Sequence, residues 1–310
     1  MKLKNDRFTL SLPLATWTAL PLMLFFVGCG EAPDAGASDG ANANSDQPMD
    51  QEGMMPARRQ KAFKQIFHAV PSPIETAMLL ERSGIRFDSG ALHTLDNAAG
   101  YTTTELQSVN LGIYAGDLSY SVIFNQNQQS VDYLNTCRRL CDGLGVGDII
   151  NAGLIARADN NRDIRDSLVD IVTDTFYSLN ARFRENGMEE VSGLMAAGGW
   201  IEGVYLGTRS LNTSTDDLKL RIAEQKMTLE NLMGLLRSYA PTPALKGMME
   251  ALTPVEAAFA GVTITENAAA ASAAEDGMVV ISGGPEVQYD QATLDAISET
   301  IATVRNQYAK

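Results

Sequence analysis

Apolar residues recur at helical spacing through most of the chain. Phe63, Ile66, Phe67 and Val70 fall three and four residues apart, with Arg58, Arg59, Lys61 and Lys64 among them; this reads as an amphipathic helix with a solvated basic face. Ser72-Pro73-Ile74-Glu75 combines a capping hydroxyl, a proline at the first helical position and a glutamate three residues past the cap. A helix therefore starts there and runs to Gly84. Further helices are predicted near 103–125, 128–143, 162–186, 188–210 and 214–239, and a weaker one over 243–259, with Gly84, Gly143 and Gly187 as C-terminal stops. Val262–Thr265 and Met278–Ile281 are β-prone and flank an alanine-rich spacer; they either pair as a small ribbon or border a disordered stretch. Asp290 caps a last amphipathic helix through Leu294, Ile297, Ile301 and Val304. The fold class is all-α, a bundle of about eight helices. The domain divides into a helical part over 57–261, a β-prone or low-complexity segment over 262–289 and a C-terminal helix over 290–310.

Two of these helices carry almost no charge. Between Glu105 and Asp132 the only charged residue is Asp117, and between Glu190 and Arg209 the only one is Glu202. Such segments, apolar or small on nearly every side, belong at the centre of a bundle. Gly112 and Gly116 in one, and Gly199, Gly203 and Gly207 in the other, recur every four residues and allow close approach of neighbouring helices. At an offset of 85 residues Glu105 matches Glu190, Asp117 matches Glu202 and Tyr120 matches Tyr205, a correspondence compatible with two related three-helix units.

A lone acid on a buried helix is costly unless paired, hydrogen-bonded or neutral. Asn110, Tyr114, Asp117 and Ser121 share one helix face, while Trp200, Tyr205 and Arg209 accompany Glu202. Asn110, Tyr114, Asp117, Tyr120, Trp200, Glu202, Tyr205 and Arg209 are the candidate pocket or polar core. Two readings stand: a structural network that fixes helix register, and a central pocket for acid–base chemistry or for a polar or cationic ligand. Other motifs are bland. Gly143-Leu144-Gly145-Val146-Gly147 lacks a preceding strand and nucleotide-loop spacing, so it is a helix end and turn. Asn125–Gln129 is a polar turn between helices, and Asp159-Asn160-Asn161-Arg162-Asp163, without the glycine and distal glutamate of a calcium loop, is helix capping.

Charge narrows the partners. The chain is at −14, and at −16 once the first 28 residues are set aside, so nucleic acid is not an expected partner. Cys137 and Cys141, four apart on one helix, read as small buried hydrophobes, and His68 and His93 lack neighbouring ligands. No metal site and no cofactor is expected.

The first residues follow a secretory layout: Lys2, Lys4 and Arg7, then an uncharged stretch from Phe8 to Gly28, then Cys29. A cysteine directly after the small residue resembles the lipobox of bacterial lipoproteins. The resemblance implies a signal peptide over 1–28, a diacylglycerol on Cys29, cleavage before it and often acylation of the new amine. That family favours leucine three places before the cysteine, where this chain has Phe26. An uncleaved membrane anchor is the alternative. Residues 29–56 then form the lipidated cysteine and an acidic linker; over 30–53 it has six acids and no Lys or Arg. It is too polar to fold and long enough to hold a domain on the order of 25–30 Å from the lipid. Gly30 rather than Asp after the cysteine resembles proteins sorted past the inner membrane, to the periplasmic face of the outer membrane or the cell surface.

The stretches Val70–Glu75, Leu111–Leu118 and Gly198–Gly203 resemble pieces of an all-α lipoprotein family of Bacteroidetes-type bacteria. The resemblance implies architecture and carries over no catalytic or binding residue. The functional expectation is a non-enzymatic envelope scaffold, attached to the membrane by its lipid, that binds a protein, peptide or small ligand. The alternative is a periplasmic hydrolase with Asp117 and Glu202 as paired acids, roughly 5–10 Å apart around an open cleft.

Overall fold

The computed structural model describes residues 70–211, 215–266, 270–273, 279–282 and 285–310. The signal segment, Cys29, the acidic linker and the helix expected around Phe63–Phe67 lie outside the described residues. The protein is an all-α helical bundle with a small β insertion near its C-terminus. Nine α-helices are present among the described residues: α1 (Pro73–Arg82), α2 (Thr104–Ile123), α3 (Asn127–Gly143), α4 (Ala152–Asn160), α5 (Arg165–Glu185), α6 (Glu189–Thr208), α7 (Asp216–Ser238), α8 (Pro243–Phe259) and α9 (Gln291–Tyr308). Two short 3-10 turns, Ser89–Ala91 and Leu95–Gly100, link α1 to α2.

Local chemistry accounts for most ends. Ser72 caps α1 in a capping box: its backbone N–H donates to Glu75 Oε2 at 2.7 Å and its Oγ accepts from Glu75 N at 3.4 Å. Thr103, Thr215, Thr242 and Asp290 cap α2, α7, α8 and α9 in the same side-chain-to-backbone manner. The left-handed residue that stops α3 is Gly145 (φ +78°), two places past Gly143, with Val146 N donating to Cys141 O at 2.9 Å. Helix α4 is absent from the sequence reading because its apolar stripe is thin; Ala158 is its one buried residue, although Asn151 Oδ1 accepts from Leu154 N at 3.0 Å to cap it. The polar run Asp159–Asp163 therefore closes α4, and α5 begins only at Arg165.

Between α8 and α9, β1 (Thr263–Glu266) pairs antiparallel with β4 (Pro285–Gln288), and β2 (Ala270–Ala273) with β3 (Val279–Ser282). The two β-prone runs of the sequence thus do not pair with each other. Each finds a partner in the intervening or following residues, which nests one pair inside the other.

Helices α2 and α6, each of 20 residues, form the centre. The buried apolar side chains fall into two clusters, one built largely on α7, α8 and α9, the other on α3, α4 and α5, and α2 and α6 contribute to both. Their backbones touch. A Cβ on Gly112 would overlap the Met195 carbonyl oxygen and Gly199 N, and one on Gly198 would overlap the Val109 carbonyl oxygen. Gly198, not the Gly199-Gly203-Gly207 row, is thus the main contact of α6 with α2; Gly203 and Gly207 make room for Thr76 of α1 and for Ile222 of α7 with Leu80 of α1. Among the described residues no helix is long and apolar enough to cross a membrane.

Because the obstacle at Gly112 and Gly198 is backbone, neither Gly112→Ala nor Gly198→Ala is accommodated by a rotamer change. Each is expected to cost about 3 kcal/mol or more of unfolding free energy in urea titration. Gly234→Ala, in the interior of α7 with nothing within 4 Å of the added methyl, should instead stabilise by roughly 0.5–1 kcal/mol.

Candidate functional site

The α2–α6 contact brings the two solitary acids together. Gly116 precedes Asp117, and a Cβ there would lie 3.0 Å from Glu202 Cβ and 3.1 Å from its Cγ, so the missing side chain is the space that Glu202 occupies. Asp117 and Glu202 are both 0% exposed. Arg305, from the last turn of α9, is 7% exposed and closes the site: its Nε donates to Glu202 Oε2 at 3.0 Å and its Nη2 to Oε1 at 3.2 Å. The His93 backbone N–H donates to Asp117 Oδ2 at 3.1 Å, and the Asp117 carboxyl also hydrogen-bonds that of Glu202. Asp117 Oδ1 faces no ordinary donor among the described residues.

Charge balance assigns the proton. One guanidinium compensates one carboxylate, and two adjacent dry carboxylates repel strongly. Burial, then the charge of Glu202, hold the Asp117 carboxyl well above the usual carboxylate range. Burial raises Glu202 as well, opposed by the charge and hydrogen bonds of Arg305. Asp117 is therefore the neutral acid that donates to Glu202, and Glu202 is the carboxylate paired with Arg305.

An aromatic shell surrounds the pair. The Arg305 guanidinium lies 4.7 Å from the Tyr205 ring centroid, and Arg209 lies 6.0 Å from the same ring. The His93 ring stacks on Tyr114 at 4.9 Å, its Nε2 is 2.7 Å from Tyr101 Oη, and Tyr133 Oη donates to its backbone carbonyl at 2.8 Å. Burial, then the nearby charge of Arg305, lower the His93 pKa to about 4, so the imidazole is neutral. Tyr114 Oη donates to Thr94 O at 2.7 Å, which fixes the irregular segment that carries His93. Asn110 Nδ2 donates to Leu106 O at 2.9 Å and to Tyr308 O at 3.0 Å, tying the end of α9 to α2.

The structure thus joins Asp117 and Glu202, connects Tyr114 to them through His93 and Tyr205 through Arg305, and uses Asn110 to hold the same helix, α9. It does not bring in the other candidates. Tyr120 Oη donates to Arg86 O at 3.0 Å and accepts from Asp88 N at 3.2 Å, Trp200 Nε1 donates to Gln225 Oε1 at 3.2 Å, and Arg209 is exposed. Arg305 is absent from the sequence reading, and His93 appears there only as a histidine without neighbouring ligands, not as a candidate for the site. A signal for Arg305 exists: it continues the four-residue row Ile297, Ile301 on the apolar side of α9, an unusual place for an arginine without a buried acid opposite. No comparable signal marks His93, whose contact to Asp117 is through its backbone. Cys137 and Cys141 are buried free thiols, and among the described residues no group of His, Cys, Asp and Glu is placed to hold a metal ion.

Comparison of the chain with protein-family models, with curated proteins and with solved structures finds no match.

Glu202→Gln removes the negative charge and leaves Arg305 buried without a counter-ion, so it should cost about 3–5 kcal/mol in urea unfolding at neutral pH. Asp117→Asn preserves the shape and the donor of a protonated acid and should change stability by less than about 1 kcal/mol. Equal losses would refute the proton assignment.

The pH dependence has a fixed sign for each group. The folded-state pKa of His93 is depressed, so its contribution is complete above about pH 6.5 and is lost, up to about 3 kcal/mol, as pH falls towards about 4. The folded-state pKa of Asp117 is raised, so its contribution is present below the ordinary carboxylate range and declines as pH rises through the folded value. His93→Gln should accordingly destabilise less near pH 4 than at pH 7; an equal gap at both pH values would show that His93 is not held neutral.

Proposed function

We propose that this chain is a lipid-anchored cell-envelope protein whose helical domain is a non-enzymatic binding scaffold. The observation that carries the proposal is the run of basic residues, uncharged apolar stretch, Gly28 and Cys29, followed by an acidic linker with no Lys or Arg over 30–53. Lipid on Cys29 would attach the domain to the membrane. Gly30 supports the periplasmic face of the outer membrane or the cell surface over the inner membrane. The domain's acidity supports partners other than nucleic acid: an envelope protein, a peptide or a small ligand.

The geometry of the acid pair counts against hydrolysis by these two carboxyls. A hydrolytic pair needs room between the carboxyls for a substrate bond, roughly 5–10 Å, and access from solvent. Asp117 and Glu202 instead touch each other, are fully buried, and Glu202 is neutralised by Arg305. Their arrangement serves helix register, and the open clefts of the domain lie elsewhere on its surface.

Intact-mass analysis of the protein purified from membranes tests the anchor. The expected product begins at Cys29 and carries the added mass of its acyl chains, and Cys29→Ser loses both the acyl mass and labelling by radioactive palmitate. A wild-type product that retains residues 1–28, or begins at Cys29 without acyl mass, would overturn the proposal.

A further inference from the structure

We infer that the groove divided by Phe87 binds an acidic oligosaccharide, a saccharide chain bearing carboxylate or phosphate groups. Two open clefts meet at this residue. One, of about 510 Å³, runs from the end of α1 to the end of α6 and is walled by Arg86, Asp88, Arg209 and Ser210 over Ile85 and Leu218. The other, of about 390 Å³, lies between Ser89 and the polar turn Asn125–Gln129. Each falls within the range of small-ligand sites.

Three features point to one class of ligand. The first is charge. In a chain with 38 acidic and 24 basic residues, Arg165, Arg182, Arg221, Arg237 and Arg305 all pair with carboxylates. Arg82, Arg86, Arg139, Arg157 and Arg209 are exposed and have no carboxylate partner among the described residues, and of these Arg86 and Arg209 line the same cleft. Asp88, the acid of that cleft, accepts from Gly90 N at 2.9 Å. Two guanidiniums left to solvent in an acidic protein suit the bidentate capture of a carboxylate or phosphate. Arg209 is also steadied by Tyr205, 6.0 Å away, whose ring Arg305 packs against.

The second feature is the aromatic divider. Phe87 stacks on Tyr120 at 5.3 Å and leans on Phe124 at 6.0 Å, so the core holds its ring while it borders both clefts. An immobilised ring face suits the C–H face of a sugar. The third is the run of amides. Asn125 adopts φ +57°, a left-handed conformation that asparagine tolerates better than most residues. The side chains of Asn125 and Gln129 have no partner among the described residues, and both line the second cleft. An amide offers a donor and an acceptor together, the complement of a sugar hydroxyl, which does the same. An acidic peptide without aromatic or apolar side chains would account for the arginines and could pair its backbone with the amides, but it makes no use of the immobilised ring of Phe87.

This inference deepens the binding part of the proposed function and is independent of the lipid. Isothermal titration calorimetry on the full purified chain uses trigalacturonic acid and trehalose 6-phosphate as charged saccharides, with maltotriose, inorganic phosphate and a glutamate-rich peptide as controls. At least one charged saccharide should bind with Kd below about 1 mM and more tightly than every control. The double variant Arg86→Gln, Arg209→Gln should weaken that binding at least about tenfold, and Gln129→Ala should weaken it several-fold without altering the weaker phosphate signal. Both sets of side chains lie at the surface, and an unchanged thermal midpoint confirms the fold. Absence of binding by both charged saccharides, equal binding of phosphate or of the peptide, or variants indistinguishable from wild type would each overturn the inference. Acylated protein that fails to bind would sink this inference alone, whereas binding by a chain without acyl mass would sink only the anchor.

Discussion

The backbone contact between α2 and α6 sets the terms for the rest of the molecule. At Gly112 and Gly198 the two helices approach until only hydrogen fits between one chain and the carbonyls of the other. That approach superimposes the positions of the two solitary acids, and Gly116 leaves the space that Glu202 fills. Two carboxyls confined without water then require one positive charge and one proton. Arg305 supplies the first from α9, and Asp117 keeps the second.

A buried ion pair of this kind contributes little net stability, because desolvation offsets most of the attraction, yet removing one partner is costly. Its consequence is specificity. Helix α9 follows the β insertion and could pack on the bundle in several registers through Leu294, Ile297, Ile301 and Val304 alone. The Arg305–Glu202 pair admits one of them, and the bond from Asn110 to the Tyr308 carbonyl fixes the helix end in that same register. The short irregular segment before α2 is held likewise: the His93 N–H, the Tyr114 hydroxyl and the Tyr133 hydroxyl pin it over the acids.

The same segment faces outward at Arg86–Ser89, so the inner network and the outer groove are two sides of one piece of chain. Tyr120, from the central helix α2, supports the outer side: its hydroxyl bonds the backbone at Arg86 and Asp88 while its ring supports Phe87. Tyr205 links the two sides, between buried Arg305 and exposed Arg209. Rigid support of this sort is what a pre-formed binding surface requires, and it gives the buried polar core a part in shaping the surface without any contact with ligand.

Helices with a strong local signal were legible from residues alone: the Ser72–Glu75 capping box, the uncharged runs around Asp117 and Glu202, and the striped C-terminal helix. So was the central position of α2 and α6, since a helix apolar on every side has no face to give to water. Helix α4, with one buried residue, and the strand pairing around the alanine-rich spacer were not, because neither carries a periodic apolar signal strong enough to distinguish partners. Of the candidate residues, the meeting of the two acids depended on a glycine contact between segments 85 residues apart, and Tyr120, Trp200 and Arg209 fell outside it. The choice of Arg305 and the backbone of His93 as their partners was decided only by tertiary structure. Periodicity and charge report what a residue's own helix asks of its surroundings; which distant group answers depends on how the helices cross, and that geometry belongs to the packed chain.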